Sequence, residues 1–174
     1  MSWKSYFVIL FLFISSIMGL RLFIITPYKV VTDSLKPVLL SGDFVFANRV
    51  NSTTRNYERG DFIIYRDSRT ENGSLDVARI IAKPGDYVEN RESQIYINER
   101  ELGVLSNLEP FKAFIIAPEE YSILKTTGNS ERMITISKSQ IHGKVFMIWF
   151  SVDQLERISE PSWTKIRWKR IGSL

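Results

Sequence analysis

The sequence contains no cysteine and a single histidine, His142, in 174 residues. That excludes disulfides and cysteine-based metal sites, and it excludes a zinc centre built on several histidines. No metal- or nucleotide-binding motif is present either, so no cofactor is expected. Any hydrolytic chemistry must draw on hydroxyls, carboxylates, lysine or His142. An excess of charge is also missing. Lys and Arg number 23 against 19 Asp and Glu, and outside residues 1–25, which hold Lys4 and Arg21 and no acid, the surplus falls to +2. A nucleic-acid partner calls for a basic stripe, and this balance argues against that class. With 44% hydrophobic residues, the chain can fill one core and supply one further apolar segment.

That segment runs from Tyr6 to Ile25 and is interrupted by Ser15, Ser16 and Arg21. Twenty helical residues rise about 30 Å, the thickness of a bilayer's hydrocarbon core. Arg21 lies one turn from the far end, where a long side chain reaches the headgroups. Trp3 and Tyr28 bracket the run at interface depth, and Pro27 cannot continue the helix. A cleavable signal peptide would need a more basic start and an A-x-A-like site; neither is present. The expectation is a retained membrane anchor over residues 6–25, a short N-terminal segment over 1–5 on one side of it and a domain over 26–174 on the other.

The domain reads as short strands between turn signals. Tyr28–Thr32 is an extended run, and Phe44–Ala47 follows the Gly42-Asp43 turn. Phe62–Tyr65 follows Gly60-Asp61. Val77–Ala82 stops at Pro84-Gly85-Asp86. Gln94–Asn98 alternates apolar and polar, and Met133–Ser137 and Val145–Phe150 complete the set. Helical periodicity is weak throughout, with a trace at Val152–Ile158. The class is therefore mainly β. Residues 99–118 are less patterned and suggest a small inserted lobe. The tail, Trp163–Leu174, mixes aromatic and basic residues and suggests an edge strand or short helix covering the core.

Four stretches carry a resemblance. Ser34-Leu35-Lys36-Pro37-Val38-Leu39-Leu40-Ser41-Gly42-Asp43 is similar to S-M-x-P-T-L-x-x-G-D. Arg59-Gly60-Asp61-Phe62-Ile63-Ile64-Tyr65 is similar to R-G-D-I-V-V-F. Ala78-Arg79-Ile80-Ile81-Ala82-Lys83-Pro84-Gly85-Asp86, followed by Ile95-Tyr96-Ile97-Asn98, is similar to K-R-V-I-G-L-P-G-D and L-Y-I-N-G. Ile141-x-Gly143-Lys144 matches I-x-G-K. In this order behind one apolar span, they resemble the bacterial type I signal peptidase family, from the span to about residue 150. The resemblance implies an antiparallel β domain outside the cytoplasmic membrane and an N-in anchor. It also implies an active site near the bilayer, because a signal peptide's cleavage site emerges at the headgroups. Ser34 lies nine residues past Ile25, at most about 30 Å of extended chain.

The resemblance also assigns roles. Ser34 aligns with the nucleophile and Thr32 with a second oxyanion donor. A serine hydroxyl needs an adjacent base, and the family's base is a buried lysine opening the K-R-V-I-G strand. Here that position is Ala78, which accepts no proton. The box G-D-N-x-x-x-S-x-D-S-R is degraded as well. Lys125-Thr126-Thr127 replaces Gly-Asp-Asn, and Ser130 aligns, across a deletion, with the serine that orients the lysine. Lys125 is a candidate substitute base reaching in from the opposing strand. Lys83 is set on the opposite face from position 78 by its odd offset, Lys36 projects to solvent, and His142 is expected as a half-exposed strand residue.

Two readings follow. In the first, the protein keeps anchor, fold and groove, cleaves nothing, and binds exported precursors. It resembles degenerate members of Gram-positive pilus systems, whose partners would be a pilin precursor or the pilus sortase. In the second, it is an active serine endopeptidase that removes signal peptides using Ser34 and a substitute base.

Overall fold

The computed structural model describes residues 3–69, 73–91, 94–104, 108–127, 130–153 and 166–174, and in the first helix the side chains of positions 17, 18 and 20–24 fall outside that description. The chain opens with α1 (Trp3–Ile24), which carries no acidic residue. Nine consecutive side chains in it, Tyr6 to Ile14, are exposed. Among the described residues no helix is long and apolar enough to cross a membrane.

Twelve strands follow: β1 (Ile25–Lys29), β2 (Asp43–Asn48), β3 (Phe62–Arg66), β4 (Leu75–Ala82), β5 (Tyr87–Arg91), β6 (Gln94–Ile97), β7 (Arg100–Val104), β8 (Phe114–Ile115), β9 (Glu120–Thr127), β10 (Ser130–Ser137), β11 (Ile141–Ser151) and β12 (Gly172–Ser173). Eight of them form one sheet, β1-β2-β11-β3-β4-β9-β10, with β12 on β11. The other four form a second sheet, β7-β6-β5-β8. All the strand pairs are antiparallel. Residues 99–118, expected as a lobe, supply β7 and β8 of the second sheet, which begins at Tyr87. β1 starts three residues earlier than the extended run suggests. Pro27 is tolerated there because β1 is an edge strand and needs no second row of donors. β6 turns into β7 through Asn98 and Glu99, both at positive φ (50° and 66°), the backbone of a tight two-residue hairpin. Of the tail, residues 166–174 are described: a 3-10 turn at Trp168–Arg170 and β12 against β11. The trace of periodicity at Val152–Ile158 falls mostly outside the described residues.

Strand alternation divides the core. Ile63 and Tyr65 of β3, with Ala78 and Ile80 of β4, pack beneath Tyr57, Tyr121 and Ile123. Ile64 and Val77 face the other way and pack with Val30, Leu39, Val45 and Val145, where Leu35 and Phe62 also rest. A third cluster, centred on Val88, Ile95 and Ile116, fills the second sheet. On the outward face of β2 and β11, Phe44, Phe46, Phe146, Trp149 and Phe150 form a continuous set of ring contacts at 5.3–6.5 Å, with Lys29 over the Phe44 ring.

Candidate functional site

The four motifs are first of all a framework. Arg59, from the R-G-D stretch, donates two hydrogen bonds to Asp86 of the P-G-D stretch, at 2.8 and 2.6 Å. Asp86 also accepts from the Lys83 amide (2.8 Å) and from Asn98 of the Y-I-N stretch (3.1 Å). Burial alone would push this carboxyl up; Arg59 and the two amides more than offset that and hold it below the usual carboxylate range. Asp61 meets Lys144 of the I-x-G-K stretch at 2.7 Å. The glycine of that stretch is required by close approach: a Cβ on Gly143 would stand 2.7 Å from the Asn48 carbonyl oxygen on β2. Residues far apart in sequence are thus kept because they pair with one another.

The Ser34 loop is held the same way. Asp43, fully buried, accepts from the Leu40 amide (2.8 Å), the Ser151 hydroxyl (2.5 Å) and Arg170 (2.9 Å). Arg170 also donates to the Val38 carbonyl (2.7 Å), and Arg167 to the carbonyls of Ser41 (2.8 Å) and Val152 (2.9 Å). Burial pushes the Asp43 carboxyl up, yet Arg170, Ser151 and Leu40 together leave it below the usual range. Sequence reading missed both arginines. Their signal was the unmatched basic charge in an otherwise apolar tail.

Ser34 itself is half-buried and lines a groove of about 530 Å³ with Leu35, Lys36, Pro37 and Val38. Arg59, Gly60, Phe62, Arg79, Ile80 and Ile81 supply the floor, and Leu102, Leu124 and Glu131 close it. Thr32 Oγ1 lies 3.0 Å from Ser34 Oγ, so the structure brings these two expected residues together. It does not bring the others. Ala78 is buried in the first core cluster and does not line the groove. Ser130 is exposed at the start of β10, opposite Thr127, and lines no part of it. Extending the register of Ile80 with Ile123 puts Lys125 opposite position 78. As a substitute base, however, Lys125 fails on its contacts. Its side-chain nitrogen donates to Asp67 and lies 3.7 Å from Asp76, and it lines no part of the Ser34 groove. Burial leaves the Asp76 carboxyl above its ordinary value, while Asp67, although burial raises it too, is held down by Lys125 and the Arg69 amide.

The groove offers no other acceptor for the serine proton apart from the carboxylate of Glu131. Lys36 is exposed and paired with Asp33 at 3.0 Å, and Arg59 and Arg79 stay protonated at any working pH. Lys83 reaches Glu58 at 2.7 Å instead. His142, half-exposed on β11 as expected, accepts from Arg66 at 3.4 Å; burial first, then Arg66 and Arg49, depress its pKa. Among the described residues no group of His, Asp and Glu could hold a metal ion.

A family model described as signal peptidase, peptidase S26, matches residues 3–148. The chain belongs to that signal peptidase family. It is 26% identical over 162 residues to an inactive signal peptidase IA of Staphylococcus aureus (strain COL), covering 84% of this chain and 91% of the relative. It is 25% identical over 170 residues to signal peptidase IB of the same strain, covering 82% and 87%. Signal peptidase I P of Bacillus subtilis subsp. natto shares 35% over 83 residues, 48% of this chain and 44% of that one. This member of the signal peptidase family is a degenerate one, similar along most of its length to a relative named inactive.

Proposed function

We propose that this protein is a non-proteolytic signal-peptidase-like protein that holds exported precursors in the Ser34 groove at the outer face of the cell membrane. Pilin precursors, and a pilus sortase that would receive them, are the partners this reading favours. The observation that carries it is that the one lysine of the Ser34 groove, Lys36, is paired with Asp33 and is not free to act as a base. Ser34 then lacks a neutral amine to take its proton and make the hydroxyl nucleophilic. The similarity to a relative named inactive signal peptidase IA supports the same reading.

Support for the membrane comes from α1 and from the sheet it enters. Among the described residues nothing covers Tyr6 to Ile14 of that helix, which are all exposed. β1 follows directly and leads to the outward aromatic set beside Lys29, a composition suited to headgroup depth. The test uses the full chain in detergent with a fluorescent exported precursor, native and Ser34→Ala side by side. Neither should cleave, and both should bind equally. Cleavage that disappears in Ser34→Ala would sink the reading. In cells the protein should pellet with membranes and resist alkaline extraction.

A further inference from the structure

Three cations line the Ser34 groove, and two are already neutralised: Lys36 by Asp33 at 3.0 Å and Arg59 by Asp86 at 2.6 Å. Arg79 is the exception. It is exposed, and among the described residues it forms no ion pair and no side-chain hydrogen bond. Its guanidinium stands over the Phe62 ring, 5.7 Å from the centroid, and a Cβ on Gly60 would lie 3.5 Å from its terminal nitrogen. Stacking on a ring fixes the plane of a guanidinium and leaves its N–H edge available.

Strand register explains why Arg79 has no partner. With Ile80 opposite Ile123, position 79 lies opposite Leu124, and both line the groove. The next residue of β9 on that face is Thr126, which stands where the family pattern has the aspartate of Gly-Asp-Asn. A threonine hydroxyl cannot neutralise a guanidinium. Glu131 pairs with Thr126 across β9 and β10 and lines the same groove, yet it makes no ion pair with Arg79, and its Oε2 is buried without a hydrogen-bond partner.

We infer that the groove selects peptides bearing an acidic side chain, whose carboxylate Arg79 binds through its free N–H edge. This rests on the reading of the groove as a peptide site and adds what that peptide must carry. Arg79 is then a specificity-determining residue.

The experiment measures binding of fluorescent Ala- and Leu-based peptides to the full chain in detergent. One position of the peptide is Glu, Gln or Lys, and that position is moved along the sequence. At one placement the Glu peptide should bind about tenfold more tightly than its Gln counterpart, the scale of one charge-assisted hydrogen bond, and the gap should shrink as salt rises. Arg79→Gln should abolish the preference, so that Glu and Gln peptides bind the variant alike. Thr126→Asp, which supplies an internal carboxylate, should do the same, whereas Glu131→Gln should keep it. Equal binding of Glu and Gln peptides at every placement, or a preference that survives Arg79→Gln, overturns the inference while the groove stands. Failure of every peptide to bind removes the groove reading and this inference with it.

Discussion

Asp43→Asn tests the framework at its most buried point. The substitution keeps shape and removes charge. Asp43 is fully enclosed and accepts from Leu40, Ser151 and Arg170, with Arg167 3.5 Å away. An asparagine oxygen can keep one or two of these bonds, but its amide group then faces donors. Arg167 and Arg170 lose their counter-charge. Breaking a buried pair from one side costs about 3–5 kcal/mol. Both arginine side chains are about one-fifth exposed (21% and 23%) and recover some hydration, so the low end, about 3 kcal/mol, applies. For a domain of this size that is a fall of about 6–12 °C in Tm. The pH dependence follows from the sign of the shift. A carboxyl held below its unfolded value stabilises the fold above that value, about 3.9, and the stabilisation is lost as pH falls through the depressed folded pKa. Native protein should therefore lose stability steeply below about pH 4, and the variant should show a shallower acid limb. Near-ultraviolet circular dichroism of the neighbouring aromatic set reports unfolding, and precursor binding reports the Ser34 loop. A loss under about 1 kcal/mol, or an unchanged acid limb, would refute the reasoning.

Two further outcomes follow from packing. Ala78→Lys places an amine among Ile63, Tyr65, Ile80 and Tyr121. Overpacking costs about 1–3 kcal/mol, and keeping a lysine neutral at pH 7 costs about 4–5 kcal/mol. The variant should lose at least about 4 kcal/mol in denaturant unfolding and gain no Ser34-dependent cleavage; recovered cleavage would mean that position 78 reaches the serine. Gly143→Ala forces a Cβ against the Asn48 carbonyl, where backbone, not a movable side chain, must give way. It should cost about 1–3 kcal/mol, and a neutral result in urea titration would show that β2 and β11 can part without penalty.

The local pieces were legible in the sequence. Phe44–Ala47, Phe62–Tyr65 and Val77–Ala82 all fall inside β2, β3 and β4, because buried strands announce themselves as β-branched and aromatic runs. Four strands escaped notice: β7 and β8 lie in the stretch expected as a lobe, and in β5 (Tyr87–Arg91) and β9 (Glu120–Thr127) charged and hydroxyl residues interrupt the alternation. Ser34 and Thr32 were legible as a pair through the motif around them. The place of Ala78 was not, since a motif fixes which residue opens a strand but not which sheet face that residue joins. Lys125 illustrates the same limit. Its position opposite Ala78 could be anticipated, while its two acidic partners come from β4 and from the loop after β3. Arg167 and Arg170 were invisible for a related reason: their partners around the Ser34 loop, Ser41, Val38 and Asp43, are more than a hundred residues away.

That separation bears on biosynthesis. Arg170 reaches Val38 and Asp43 across 132 and 127 positions, so the segment that fixes the Ser34 loop is synthesised long after the loop itself. Closing so large a loop is entropically expensive and slow compared with forming hairpins such as β9–β10. The sheet can form before the groove does. A chain still emerging has strands but no clamp on its serine loop, and that clamp arrives only once Arg167 and Arg170 have been made.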